Sequence, residues 1–219
     1  MKALEGMSEF FAARVEGYDL HMLSNVEGCR EGYAQMADRI PKSITRLLDL
    51  GCGTGLELDA ILSRMPDLSV TGIDLCPEML ERLRQKHPQE SVELICGDYF
   101  KTDFGVGQYG CAVSFESLHH FTREKKAGLY QRIFQALEDG GVYLECDYMV
   151  RDEAEEARLF AECRRLRQEQ GIDADAYCHY DTPCTVEGQI ALLLGAGFSS
   201  VREVFCKGNT VLLLAQKKT

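Results

Sequence analysis

From residue 43 onward, short apolar runs alternate with stretches whose apolar residues recur three and four positions apart. The runs RLLDLG (46–51), LSVTGID (68–74), SVELICGD (91–98), GCAVSFES (110–117) and GVYLECDY (141–148) are nearly continuous in apolar character. That pattern predicts strands buried on both faces. Between them Leu58, Ile61, Leu62 and Met65 keep helical spacing, as do Met79, Leu80 and Leu83, and later Leu129, Ile133, Phe134 and Leu137. Pro77 suits the first turn of the second helix, and EDGG after Leu137 reads as a helix stop. The alternation predicts an α/β fold, a doubly wound parallel sheet with helices on both faces.

The two ends depart from this rhythm. Residues 1–42 read as one or two amphipathic helices, EFFAARVEGYDLHML and then EGYAQMADRI. At the other end, SSVREVFC and NTVLLLAQ flank Lys207 and Gly208. That link is too short for a crossover helix and predicts an antiparallel hairpin. The stretch before the hairpin, 151–190, is longer than one crossover needs, so part of it is expected to form an inserted helical lid. The expected organisation is a single domain with a helical flap (1–42), a core (43–150), a lid insertion (151–190) and a closing segment (191–219).

Composition narrows the partners. The chain has 219 residues and a formal net charge of -11. An acidic surface disfavours wrapping a phosphate backbone, so no nucleic-acid partner is expected. Ten cysteines occur singly, with no CxxC pair, which argues against a zinc ribbon or redox motif and for reduced, structural thiols. The N-terminal residues lack an apolar signal region and no run of about 18 apolar residues occurs, so a cytoplasmic location without membrane contact is expected.

Candidate chemistry begins at LLDLGCGTG (47–55), a strand, a tight turn and a helix start carrying Gly51, Gly53 and Gly55. Glycine allows positive φ and lets a ligand lie on bare backbone at the carboxyl end of a strand. A nicotinamide-dependent oxidoreductase would want G-x-G-x-x-G/A, but Leu56 stands where the third small residue belongs. The D-x-G-x-G-x-G arrangement starting at Asp49 instead resembles the class I S-adenosylmethionine-dependent methyltransferases. The resemblance extends through Asp74 in GIDLCPEML, which lies 23 residues after Gly51, through Asp98 in CGDYF and through SFESLHHF after the fourth strand.

The resemblance implies a Rossmann-like, seven-stranded sheet, mostly parallel with a C-terminal antiparallel hairpin. It also implies S-adenosylmethionine as cofactor and S-adenosylhomocysteine as product. The cofactor contacts it suggests are Asp49, Gly51, Cys52 and Gly53 at the loop, Asp74 on the ribose hydroxyls and Leu75 on the adenine. Gly97, Asp98 and Tyr99 are expected near the adenine amino group, and Phe115 in the cleft.

Methyl transfer from a sulfonium needs mainly alignment, and orientation supplies up to ~7–11 kcal/mol in favourable cases. Where a base is required, His120 is the first expectation, with His119, His179 and Tyr18 behind it. No [DNS]-P-P-[YF] turn follows the fourth strand, where Ser114-Phe115-Glu116-Ser117 stands, and Pro183-Cys184 lies in the insertion. Glu116 and Asp147 do not reproduce a magnesium-dependent catechol pattern, so no metal is expected. FFAARVEGYDLHM resembles the flap of small-molecule members, which points to a small-molecule methyl acceptor. The expected assembly is a monomer or homodimer. A non-catalytic S-adenosylmethionine-binding subunit is the alternative.

Overall fold

The computed structural model describes residues 3–89, 91–173 and 175–219. Its core runs β1 (Arg46–Leu50), α4 (Leu56–Leu62), β2 (Ser69–Asp74), α5 (Pro77–Lys86), β3 (Val92–Cys96), β4 (Tyr109–Phe115), α6 (Arg123–Ala136) and β5 (Leu137–Tyr148). After α7 (Glu153–Glu169) and α8 (Val186–Gly195), β6 (Ser200–Lys207) and β7 (Thr210–Gln216) close the chain. The sheet order is β3-β2-β1-β4-β5-β7-β6. β7 pairs antiparallel with both β5 and β6, and the other pairings are parallel. The chain winds from β1 outward to β3 and returns beside β1 as β4. The order therefore reverses between β1 and β4, where such sheets open a crevice at their carboxyl ends.

The apolar runs become strands because both sheet faces are covered. Every residue of β4 is buried. On one face Leu129, Tyr130 and Ile133 of α6 and Leu193 of α8 pack with Leu48, Tyr143 and Leu213. On the other, Leu58 and Ile61 of α4 and Leu80 and Leu83 of α5 pack with Leu47, Val70 and Val113.

Three local differences from expectation have physical causes. The N-terminal segment forms three helices, α1 (Met7–Ala12), α2 (Val15–Asn25) and α3 (Cys29–Ala37). Gly28, at φ +86°, makes the last break, and a Cβ there would lie 2.8 Å from the Lys207 carbonyl. The EDGG segment is the start of β5 rather than a free stop: Lys217 Nζ donates to the carbonyls of Phe134 and Leu137, at 3.1 and 2.7 Å, and satisfies the end of α6. Within the insertion α7 is helical, but the part reaching the crevice is extended. Met7 N donates to Tyr177 O at 2.9 Å and His179 N to Glu5 O at 3.0 Å. This antiparallel bridge ties the insertion to the flap.

Candidate active site

The glycine loop leaves β1 with Gly51, Gly53 and Gly55 at φ +74°, +47° and +77°. A Cβ on Gly51 would lie 2.1 Å from Ser117 Oγ, so bare backbone is required there. Gly51 N and Cys52 N both donate to the Ile73 carbonyl, at 2.8 and 3.2 Å. Asp74 then fixes the loop: its carboxylate accepts from Gly53 N at 2.9 Å and Cys76 N at 2.8 Å. Burial pushes its pKa up, against those backbone donors. From the flap, Asp19 accepts from Thr54 Oγ1 at 2.5 Å, holding α2 on the loop.

Beside this loop, at the carboxyl end of the sheet, is a partly enclosed cavity. Gly51, Gly53, Asp74, Leu75, Gly97, Asp98, Tyr99, Phe115, Tyr18 and His120 all line it. Two residues expected at the cofactor do not. Cys52 is buried in the core against Gly72, where a Cβ would lie 2.9 Å from its Sγ. Asp49 is fully buried beneath the loop, and neither of its oxygens accepts from an N–H donor. Its neighbour is the buried Glu57. Burial raises the pKa of both carboxyls; the Asp49 charge further opposes ionisation of Glu57, while a hydrogen bond from Glu57 favours the charged form of Asp49, so the pair retains a proton.

The Asp98 carboxylate makes three contacts, one of them an ion pair with Lys101 Nζ at 3.3 Å. Oδ1 accepts from Phe100 N at 2.8 Å, and Oδ2 accepts from Tyr177 Oη of the insertion at 3.0 Å. Tyr99 Oη lies 3.2 Å from Ser117 Oγ. Phe100, Phe121, Cys76 and Met79 complete an apolar lining, and none of them stands out in the sequence from ordinary core residues.

A larger outer chamber adjoins this cavity. Phe11, Tyr18, Glu116 and His120 line both and form the partition. Glu116 is the only described non-glycine residue with positive φ, at +46°, an uncommon conformation that clusters at functional sites. Burial lifts its carboxyl to about 8. His119 Nδ1 is 2.5 Å from Asp147 Oδ1, and Asp147 also accepts from the Leu118 and Tyr148 amides at 3.1 and 3.0 Å. Burial opposes charge on His119, yet the Asp147 carboxylate beside it raises its pKa to about 9. Burial and His119 together lower that of His120. Burial pushes the Tyr18 phenol far above its usual range.

Asp181 completes the cluster, with Oδ1 3.6 Å from His119 Nε2 and 3.4 Å from His120 Nδ1. Burial disfavours its charge, but His120 and His119 hold its carboxyl well below the usual range. His179 lines the outer chamber and stacks on Phe10, with ring centroids 3.5 Å apart. Asp181 and Tyr177 carried no signal in the sequence, because an irregular insertion offers no periodicity or motif.

Residues 47–141 match a family model described as a methyltransferase domain. Among curated proteins, the chain is 25% identical over 194 residues to carboxy-S-adenosyl-L-methionine synthase of Campylobacter curvus, covering 84% of this chain and 82% of that protein. It is 32% identical over 107 residues to malonyl-[acyl-carrier protein] O-methyltransferase of Acetivibrio thermocellus, covering 49% of this chain and 37% of that one. Its fold is similar to a putative O-methyltransferase from Nostoc punctiforme, with TM-score 0.71, 18% identity, and coverage of 97% of this chain and 62% of the other. It is also similar to human N-acetylserotonin methyltransferase in complex with SAM, with TM-score 0.64, 21% identity and coverage of 96% and 55%. The chain thus spans between half and two thirds of those two solved proteins. The match of residues 47–141 to a methyltransferase domain agrees with the sheet order and with the positive-φ glycine loop beside Asp74.

Proposed function

We propose that the chain transfers a methyl group from S-adenosylmethionine to an oxygen or nitrogen of a small molecule held in the outer chamber. The observation that carries this reading is the pair of adjoining cavities, which share a partition of Phe11, Tyr18, Glu116 and His120. S-adenosylmethionine supplies an electrophilic methyl on a sulfonium. The inner cavity offers it the bare Gly51–Gly53 backbone, the Asp74 carboxylate for ribose hydroxyls, and Leu75 with Asp98 for the base. Closing aromatic side chains exclude water and fix the acceptor's approach, which is where most of the rate arises. An oxygen acceptor must lose its proton, and His120 is the group at the partition placed to draw it off.

The curated relatives that match most of the chain are named carboxy-S-adenosyl-L-methionine synthases, which gives a second reading. A carboxylated cofactor calls for a cation in the inner cavity, and none of the described residues lining that cavity is Lys or Arg. Arg14, in the outer chamber, is paired with Glu5 at 3.0 Å. Methyl transfer therefore fits the lining better. No helix among the described residues is long and apolar enough to cross a membrane.

The test is incubation with S-adenosylmethionine and a panel of small phenols, alcohols and amines, following S-adenosylhomocysteine release and product mass. Methylated product with wild type, and turnover reduced by roughly 10²–10⁴-fold in His120→Ala with S-adenosylhomocysteine affinity retained, supports the reading. Conversion of the cofactor to a carboxylated form supports the second reading instead. Tight cofactor binding without turnover across the panel favours a binding subunit.

A further inference from the structure

The histidine and carboxylate cluster of the outer chamber has a geometry that proton transfer alone does not require. We propose that His119, His120 and Asp181 form a binding site for a divalent transition-metal ion of the zinc class. Metal–ligand bonds of about 2.0–2.1 Å at tetrahedral angles place donor atoms roughly 3.3 Å apart. Asp181 Oδ1 lies 3.6 Å from His119 Nε2 and 3.4 Å from His120 Nδ1. The three donors all fall within 4.8 Å of one another. A shift of a few tenths of an ångström satisfies the two edges that meet at Asp181.

The support behind the cluster is also what a metal-binding histidine uses. A ligating imidazole holds its other nitrogen on a carboxylate, which fixes the ring and its tautomer. Asp147 does this for His119, at 2.5 Å from Nδ1, and is itself fixed by the Leu118 and Tyr148 amides at 3.1 and 3.0 Å. Nε2 of His119 is thereby presented to Asp181. A second grouping, Glu116, His119 and Asp147, shares His119 but fails on geometry. Its His119 Nδ1 and Asp147 Oδ1 are already at hydrogen-bond distance, too close to be joint ligands of one ion.

Two imidazoles, with His119 releasing its proton as the ion binds, and one carboxylate suit zinc and the neighbouring divalent ions better than magnesium or calcium, which prefer all-oxygen sets. His120 Nδ1 also faces the Tyr180 carbonyl at 3.3 Å, a long hydrogen bond that a cation would replace. The Asp181 side chain is 45% exposed, so a further coordination position opens to the outer chamber. Asp181 belongs to the extended insertion and the histidines to the segment after β4, so an ion there links the insertion to the core. This deepens the methyl-transfer reading and rests on it in one respect only: an acceptor oxygen bound to the ion would lose its proton more readily, with His120 acting as ligand rather than as free base.

The experiment is titration of the full-length, untagged, chelator-treated protein with Co²⁺, read by visible absorption, followed by competition with Zn²⁺ in calorimetry. One Co²⁺ per chain is expected, displaced by Zn²⁺. His119→Ala and Asp181→Ala should abolish stoichiometric binding, and Asp147→Asn should weaken it roughly 10–100-fold as an outer partner. Each variant is also titrated with S-adenosylhomocysteine and melted, and unchanged values there show an intact fold and cofactor site. A folded wild type without stoichiometric Co²⁺ binding overturns the proposal, as does binding that survives His119→Ala with unchanged affinity. Failure to bind S-adenosylhomocysteine would overturn the methyl-transfer reading and leave the metal result to stand or fall separately.

Discussion

Replacing Gly51 by alanine probes the bare backbone directly, and Gly107 provides its control. Both have positive φ, +74° and +59°. A non-glycine residue in the left-handed region costs about 1–2 kcal/mol. At Gly107 nothing lies within 4 Å of the added Cβ, so this strain is the whole effect. At Gly51 the added Cβ meets Ser117 Oγ at 2.1 Å and Ser117 Cβ at 2.8 Å. Ser117 must move, and its hydrogen bond with Tyr99 Oη at 3.2 Å is lost with it. That adds about 1 kcal/mol. For a chain of this size each kcal/mol lowers Tm by roughly 2–4 °C. Gly107→Ala is therefore expected to melt about 2–8 °C below wild type, with Gly51→Ala a few degrees lower still.

The larger contrast is in binding, because Gly51 and Tyr99 line the inner cavity and Gly107 does not. Calorimetric titration with S-adenosylhomocysteine should show Gly107→Ala unchanged and Gly51→Ala weakened at least ~10-fold, a factor corresponding to about 1.4 kcal/mol. Adding Ser117→Gly, which removes the obstructing atoms, should restore part of the stability. Equal affinity in Gly51→Ala and Gly107→Ala would refute the argument that the loop is bare because a ligand and Ser117 crowd it.

Two further outcomes follow from the geometry. Tyr177→Phe deletes the 3.0 Å hydrogen bond to Asp98, so S-adenosylhomocysteine affinity should fall several-fold and amide exchange around residues 176–181 should rise; identical exchange would show that this contact does not hold the insertion closed. Asp49 has a folded-state pKa raised by burial, so its contribution to stability is complete below the ordinary carboxylate range and is lost as pH rises toward neutrality. Asp49→Asn should therefore gain on wild type in urea unfolding between about pH 5 and pH 8, and parallel stability curves would show that the Asp49–Glu57 pair holds no extra proton.

Much of the fold is legible along the chain because a parallel sheet covered on both faces imposes its own pattern. RLLDL and YGCAVSF are near-continuous apolar runs because both sides of each strand meet helices. The hairpin follows from the two-residue link at Lys207-Gly208. Local patterning fails where a distant group decides the outcome. Leu137 continues a helical spacing, yet Lys217 from the end of the chain satisfies the carbonyls that end α6. Asp49 stands in a motif position, but it shares its burial with Glu57 and does not line the inner cavity.

The candidate site shows the same division. Gly51, Gly53, Asp74 and Asp98 follow strand ends whose placement the topology dictates. Nothing local distinguishes His119 from His120. Their different surroundings arise from Asp147 on β5 and Asp181 in an irregular segment, both brought in by tertiary structure. Glu116 was legible as an acid after the fourth strand, but its positive φ and its place in the partition were not.

The central claim is that the inner cavity holds S-adenosylmethionine with Asp74 on the ribose. The measurement that tests it most directly is calorimetric titration of wild type and Asp74→Asn with S-adenosylhomocysteine. Hydrogen bonds to a charged group contribute about 1.5–3 kcal/mol. The account predicts one saturable site in wild type and an affinity roughly 10–150-fold weaker in the variant, at that cost per ~1.4 kcal/mol tenfold step. A folded wild type that gives no saturable heat, or an Asp74→Asn protein that binds as tightly as wild type, would contradict it.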